Sequence, residues 1–191
     1  MTTSVEVRVR GVAPLLQHAF ASDFENGDTA RTQILQRGTP REQAESSCYR
    51  DGDKYVYFPG AAISRMIREA GANHKLKGSR RAVKFVVPSA VFVISDTIRI
   101  LDAKGKPRQD FEVDARPVTI PATKGRIMRY RPRWDEWQAT FPLSIEEEVL
   151  PVELVHQLVE EGGRRLGIGD YRPEKGGPFG RFAIESWVVT K

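Results

Sequence analysis

Cysteine is almost absent from this 191-residue sequence, which contains only Cys48. A single thiol cannot form an internal disulfide, so the sequence predicts a protein of a reducing compartment, the cytoplasm. No apolar run approaches the roughly 18 residues that a membrane span needs. The first six residues also lack the basic start and apolar stretch of a secretory signal. We therefore expect a cytoplasmic protein with no membrane association.

Histidine is scarce as well, and His18, His74 and His156 are far apart in the sequence. None lies at metal-ligand spacing from another, so we expect no metal site. The sequence has no Gly-Lys-Ser/Thr triplet, which excludes a Walker phosphate loop. A dinucleotide fingerprint opens a helix after a strand, and the glycine-rich part of this chain is predicted to do the reverse. We accordingly expect no cofactor.

Basic residues outnumber acidic ones by 30 to 25, and the two kinds are segregated along the chain. Residues 70–95 contain five cations and residues 115–133 contain six, both without an acid, whereas residues 134–163 contain eight acids without Lys or Arg. Arginine accounts for 21 of the 30 cations, and its planar fork suits phosphate and stacks on bases. This pattern predicts a basic surface that follows a nucleic-acid backbone.

The hydrophobic pattern predicts one α+β domain over residues 1–191, with insertions at 21–56 and 96–125. Val5, Val7 and Val9 alternate with charged residues, as in a half-buried strand. A capping box at Thr39–Glu42 starts a short helix, and amphipathic helices are predicted after Pro59 and Pro151. Residues 83–94 are predicted to be β-rich, and a last strand covers 181–189. Strand, helix, strands, helix and strand in this order predict a ferredoxin-like, RRM-like split βαβ fold with an antiparallel sheet.

Residues 167–182, the glycine-rich segment, carry the densest functional signal. Five of these sixteen residues are glycine, and glycine lets a backbone approach a ligand closely. Arg172, Lys175 and Arg181 add cations, while Tyr171 and Phe179 add flat rings on which a base could stack. The segment is therefore predicted to be the main nucleic-acid contact. The alternative is a structural loop whose glycines make turns and whose Phe179 fills the core.

Two segments together resemble the RAMP superfamily, the repeat-associated proteins of CRISPR effector complexes. Tyr57–Arg68 is similar to its Pro-Gly-Ser-Ser helix signature, and the glycine-rich segment is similar to its C-terminal glycine-rich loop. The resemblance implies ferredoxin-like units that bind guide or other single-stranded RNA, as a backbone subunit or as a processing endoribonuclease. Tyr49–Gly52 and Gly167–Pro173 also resemble uncharacterised phage proteins, which leaves single-stranded DNA open.

The leading interpretation is a non-catalytic protein that coats single-stranded RNA or DNA as a homo-oligomer or filament, in a CRISPR-like or phage context. The alternatives are a metal-free endoribonuclease, with His18 or His74 as the candidate catalytic residue, and a protein-interaction module of a phage or defence system. The acid-rich stretch 135–161 has no internal cation to balance it and is expected to meet the basic blocks of a neighbouring copy. The residues expected to contact nucleic acid are cations, glycines and aromatics: Arg65, Arg68, Lys75, Lys77, Arg80, Arg81, Arg126, Arg129, Arg131, Gly169, Tyr171, Arg172, Lys175, Gly176, Gly177, Phe179 and Arg181.

Overall fold

The computed structural model describes residues 1–19, 38–76, 78–119 and 124–190. The strands within these ranges are β1 (Thr2–Gly11), β2 (Leu15–Leu16), β3 (Tyr57–Pro59), β4 (Val91–Val93), β5 (Thr97–Arg99), β6 (Glu112–Thr119), β7 (Arg126–Trp134), β8 (Gln138–Glu146) and β9 (Phe182–Thr190). The α-helices are α1 (Pro40–Glu45), α2 (Gly60–Ala70), α3 (Val87–Ala90) and α4 (Val152–Arg165).

The central layer is a four-stranded antiparallel sheet in the order β4-β8-β1-β9. Helix α2 connects β1 to β4 and α4 connects β8 to β9, so each helix links two strands that are not neighbours. This arrangement is the split βαβ topology, and the ferredoxin-like prediction is confirmed. No helix in the described ranges is long and apolar enough to cross a membrane.

The core lies between this sheet and its two long helices. Val5, Val7 and Val9 of β1 are at most 1% exposed, as their alternation with charged residues predicted. The predicted stripe of α2 is buried too, as is most of the stripe of α4, where Val152 is only half-buried. Both starting prolines are the N-cap residues of their helices, and Thr39 forms the predicted capping box of α1. The amphipathic pattern was therefore sufficient to place both helices.

The β-rich prediction for residues 83–94 is wrong over most of its length. Val83–Phe85 forms a 3-10 turn and α3 follows it, so that only β4 is extended. A short buried apolar run has no period that separates strand from helix. Pro88 lies in the first turn of α3, where its fixed φ and missing N–H are tolerated.

The connection between β4 and β8 carries β6 and β7, which form a second sheet with β2 in the order β2-β7-β6. Strands β6 and β7 form a long hairpin in which Glu112 pairs with Arg133 at the base and Thr119 pairs with Arg126 near the tip. Trp134 and Trp137 flank the turn into β8, and both are 1% exposed. Residues three apart cannot share one face of an unbroken strand, and the turn between these two residues is what allows both to be buried. Part of the predicted insertion 21–56, residues 21–37, lies outside the described residues, and so do residues 120–123.

Candidate nucleic-acid interface

The two segments that resemble the RAMP signatures meet at one cleft of about 370 Å³. One wall is the first part of α2 with Arg65, and the other is the start of the glycine-rich segment with Gly169 and Arg172. His18 and Tyr49 also line it. Residues more than one hundred positions apart are thus neighbours, because β9 returns beside β1 in the sheet.

Glu174 joins the two walls of the cleft. Its carboxylate accepts from Arg65 Nη2 at 3.1 Å and from Arg172 Nη2 at 2.6 Å. Burial alone would raise the pKa of Glu174, but these hydrogen bonds outweigh it and hold the pKa below its ordinary value. Arg172 also donates to the carbonyl of Gly169 at 2.8 Å. The predicted phosphate contacts Arg65 and Arg172 are therefore engaged within the protein, which differs from the expectation of free cations.

Backbone amides of the glycine-rich segment form hydrogen bonds with carbonyl groups of the protein itself. The amide of Gly176 donates to Pro173, that of Gly177 to Arg172 and that of Gly180 to Pro14, at 2.8–3.0 Å. Gly180 has a φ of +69°, and a Cβ there would overlap the carbonyl oxygen of Ile168. The expectation that Gly176 and Gly177 present amides to phosphate is not met in this structure, because both amides have backbone partners.

The two rings of this segment differ in exposure. Tyr171 is 41% exposed, with a φ of 48°, whereas Phe179 is 6% exposed. The guanidinium carbon of Arg116, from β6, lies 4.4 Å from the centre of the Phe179 ring. Phe179 is thus part of the packing, as the structural alternative predicted, and Tyr171 keeps a ring available for stacking. Lys175 and Arg181 are exposed as well, with no ion pair among the described residues.

At the base of the β6–β7 hairpin, three arginines pair with the carboxylates of Asp114, Asp135 and Asp170. Asp114 is buried and accepts from Arg116 Nε at 2.7 Å, with Arg133 Nη1 at 3.5 Å. Arg131 is 9% exposed, and its Nε lies 2.6 Å from Asp170 of the glycine-rich segment. Hydrogen bonding to Asp114 raises the pKa of Arg116. Arg131, a predicted nucleic-acid contact, instead fastens the hairpin to the glycine-rich segment.

The distal part of the same hairpin is open to solvent on both faces. Lys124 and Arg126 are exposed, and Arg129 is half-buried opposite Arg116. None of Lys124, Arg126 and Arg129 forms an ion pair within the described ranges. Ile127 and Met128 are 38% and 49% exposed between these cations. The distal hairpin thus combines free positive charge with apolar side chains, and sequence reasoning missed the two apolar residues.

The other basic block is exposed too. Lys75, Arg80 and Arg81 extend into solvent, without ion pairs to the part of the chain that the structure describes, and Lys77 lies outside the described residues. Arg68, by contrast, donates to its neighbour Glu69 at 2.8 Å. Sequence reasoning missed Phe85, which is 58% exposed at the end of this block.

The histidines lie on different elements. His74 Nε2 is 3.2 Å from Glu161 Oε2, and the His156 ring packs edge-on against Trp187 at 4.8 Å. Only His18 of the three lines the cleft. No group of three or more metal-ligating residues occurs within residues 1–19, 38–76, 78–119 and 124–190. Burial raises the pKa of Cys48 to about 12, so this thiol is not a nucleophile at neutral pH.

Two acids of the acid-rich stretch 135–161 have cationic partners from outside it, because Asp135 pairs with Arg133 and Glu148 with the N-terminal amine. Glu148 accepts from the N-terminal amine at 2.8 Å, and Thr2 and Thr3 donate to Glu146 and Glu147. These pairings come from β1 and from the chain start, which lie beside the end of β8. The argument for self-association from unbalanced acids is correspondingly weaker.

No protein-family model matches the chain, and no curated protein matches it. It is similar to the crystal structure of Cmr6 from Pyrococcus furiosus, with 14% identity, a TM-score of 0.49, and coverage of 96% of this chain and 99% of that chain. It is also similar to a chain of the Type III-B Cmr-beta complex bound to cognate target RNA, with 12% identity and a TM-score of 0.61. That match covers 100% of this chain and 61% of the other. At this identity the likeness shows the fold alone, and the fold is that of the Cmr-beta chain.

Proposed function

We propose that this protein binds single-stranded RNA without cleaving it, as one subunit of a multisubunit RNA-guided complex. The observation that carries the proposal is the distal β6–β7 hairpin, where Lys124, Arg126 and Arg129 have no carboxylate partner among the described residues. The fold similarity to a chain of a complex bound to target RNA supports RNA as the ligand.

The hairpin suits a flexible strand better than a duplex. Its cations meet phosphates, and binding of phosphate releases counterions and so depends on salt. Ile127 and Met128 are exposed beside them, and apolar side chains contact the faces of unstacked bases, which a paired helix keeps hidden. Tyr171 adds one exposed ring. This ring lies near the base of the hairpin, because the preceding residue, Asp170, forms an ion pair with Arg131 of β7.

Fluorescence anisotropy of a labelled 30-nucleotide RNA tests this proposal. We expect Arg126→Gln with Arg129→Gln to weaken binding roughly tenfold, because two phosphate interactions are lost. The slope of log affinity against log salt should also become smaller in magnitude by about 1.4, at about 0.7 for each interaction. The matched control is Lys104→Gln with Lys106→Gln, two exposed lysines in the turn after β5 that remove the same charge. Equal decreases in affinity for both pairs would show a general charge effect and contradict a hairpin site.

The same assay with DNA of equal sequence separates the polymers. We expect weaker binding of DNA, because the 2′-hydroxyl gives a protein extra hydrogen bonds to RNA. Tighter binding of DNA would overturn the assignment of RNA and favour a role on single-stranded DNA.

Cleavage is the second candidate activity, because His18 lines the cleft beside Tyr49 and Arg65. Metal-free RNA cleavage needs a positioned acid and base, and no second histidine lines this cleft in the described part of the chain. We therefore expect no product from labelled RNA incubated with the protein in a metal chelator. Cleavage that is abolished by His18→Ala would contradict the non-catalytic assignment.

A further inference from the structure

A second cationic surface lies at the C-terminal end of α2, away from the cleft. Its base is fixed by backbone pairing: Val83 donates to the carbonyl of His74 at 2.9 Å, and Lys75 pairs with Ala82 in an antiparallel bridge. Helix α2 lines the cleft as far as Met66, about 6 Å along the helix from Ala70 at 1.5 Å per residue, and no described residue of 71–85 lines the cleft. The two surfaces are therefore separate.

The surface is organised around one exposed aromatic ring. Phe85 is 58% exposed, the largest exposed fraction of the large apolar residues after Met1 and Ile94 in the described part of the chain. Lys84 Nζ lies 5.1 Å from its ring centre, and the guanidinium carbon of Arg81 lies 5.9 Å from it. Arg81 also donates to the Phe85 carbonyl at 3.3 Å, which holds the guanidinium beside the ring. We call Lys75, Arg80, Arg81, Lys84 and Phe85 the Phe85 platform.

The cations of this platform have no carboxylate partner among the described residues. They lie in the acid-free stretch 70–95, and like charges held this close repel one another in the free protein. A polyanion that covers them removes this repulsion. The arginines at the hairpin base differ in this respect, because Asp114 and Asp170 already neutralise them.

We propose that the Phe85 platform is a second contact for the same RNA strand, where an unpaired base stacks on Phe85 and the flanking phosphates meet the four cations of the platform. This inference rests on the proposed function. Single-stranded nucleic acid alternates flat bases with anionic phosphates, and the platform alternates a ring with cations in the same way. An acidic protein surface would pair with the cations, but it would offer no flat base to stack on the Phe85 ring.

Anisotropy with the 30-nucleotide RNA tests the stacking. We expect Phe85→Ala to weaken binding roughly 5-fold to 100-fold, the range that corresponds to about 1–3 kcal/mol for one stacked base. Phe85→Trp should restore affinity, because indole also stacks. Phe92→Ala is the matched control, since Phe92 is 44% exposed on β4, outside the platform, and should change affinity less than twofold.

The phosphate interactions are tested by the salt dependence of the same binding. Arg80→Gln with Arg81→Gln should lower the log–log salt slope by about 0.7 for each phosphate that is no longer neutralised, whereas Lys104→Gln with Lys106→Gln should not. Photocrosslinking with 4-thiouridine RNA, followed by mass spectrometry, should identify a peptide that contains Phe85. Thermal denaturation of each variant verifies its fold.

The outcomes separate this inference from the proposed function. No RNA binding by the wild-type protein overturns both. Unchanged affinity in Phe85→Ala and in the Arg80/Arg81 pair, together with weaker binding in the Arg126/Arg129 pair, overturns the platform alone and assigns that surface to an acidic protein partner. Weaker binding in the platform variants with rescue by Phe85→Trp supports the inference.

Discussion

The glycine-rich segment and the β6–β7 hairpin contain the same kinds of residue, but they use them differently. In the glycine-rich segment Arg172 is 16% exposed and bonded to Glu174, and the backbone amides have internal partners. In the distal hairpin, Arg126 and Arg129 have no such partners among the described residues. A cation contributes to binding a polyanion chiefly where no carboxylate already neutralises it. The comparison therefore supports the proposal that the cations of the hairpin, rather than Arg172, meet the phosphates of the ligand.

The largest expected effect is on stability, from a glycine of the glycine-rich segment. Gly180→Ala forces a φ of +69° on alanine and drives its Cβ into the carbonyl oxygen of Ile168. The backbone strain alone costs about 1–2 kcal/mol, and the overlap adds to it. Gly176→Ala is the control, since it has a φ of +77° but nothing within 4 Å of a Cβ. Urea denaturation should show a larger decrease in the free energy of unfolding for Gly180→Ala than for Gly176→Ala. Equal decreases would contradict the close approach of Gly180 to the Ile168 carbonyl.

Arg172→Gln sharpens the comparison, because it should separate stability from binding. It leaves Glu174 with only Arg65 and removes the bond to the Gly169 carbonyl. We expect a decrease of about 1–3 kcal/mol in the free energy of unfolding, as for a partly buried charged hydrogen bond. RNA affinity at a temperature where the variant is folded should change less than twofold. A tenfold decrease in affinity at unchanged stability would instead make Arg172 a ligand contact.

The pH dependence of stability reports on the same carboxylate. The pKa of Glu174 is lowered in the folded state from its ordinary value of 4.5, so the unfolded chain binds the proton more tightly. The stabilisation is therefore present above pH 4.5 and is lost as pH falls through the lower folded pKa. Glu174→Gln should lose stability at pH 7 and show a shallower decline between pH 5 and pH 3. Parallel declines in the two proteins would show that Glu174 does not hold the walls together.

The smallest expected effect concerns the apolar residues of the hairpin. Met128→Ser should weaken RNA binding a fewfold by removing one base contact, and it should leave the salt slope unchanged because no charge is removed. Met128 is 49% exposed, so its replacement should change stability by no more than about 0.5 kcal/mol. A changed slope would indicate that the hairpin itself has moved.

The sequence was sufficient for the elements whose pattern is local. Ile63, Met66 and Ile67 fall on one helical stripe, and all three are buried in α2. Most of residues 83–94 was assigned wrongly, because a short apolar run carries no period that separates strand from helix and only Pro88 indicated a turn of helix.

The cleft was predictable in part. The resemblance named both of its walls, Tyr57–Arg68 and the glycine-rich segment, and the structure places them together. The pairing of Arg131 with a carboxylate was not predictable, because Arg131 meets Asp170 only through a tertiary contact. A count of charges along the chain treats Arg131 and Arg129 alike, although only Arg131 has a carboxylate partner among the described residues.

The salt dependence of RNA binding tests most directly the claim that the hairpin, rather than the glycine-rich segment, contacts the RNA. The slope of log affinity against log salt should be measured for wild type, for Arg126→Gln with Arg129→Gln, and for Arg172→Gln with Lys175→Gln. We predict that the slope is about 1.4 smaller in magnitude for the Arg126/Arg129 variant than for wild type. For the Arg172/Lys175 variant the slope should change by about 0.7 at most, because of these two residues only Lys175 is exposed. A larger change for Arg172 and Lys175 than for Arg126 and Arg129 would contradict the account.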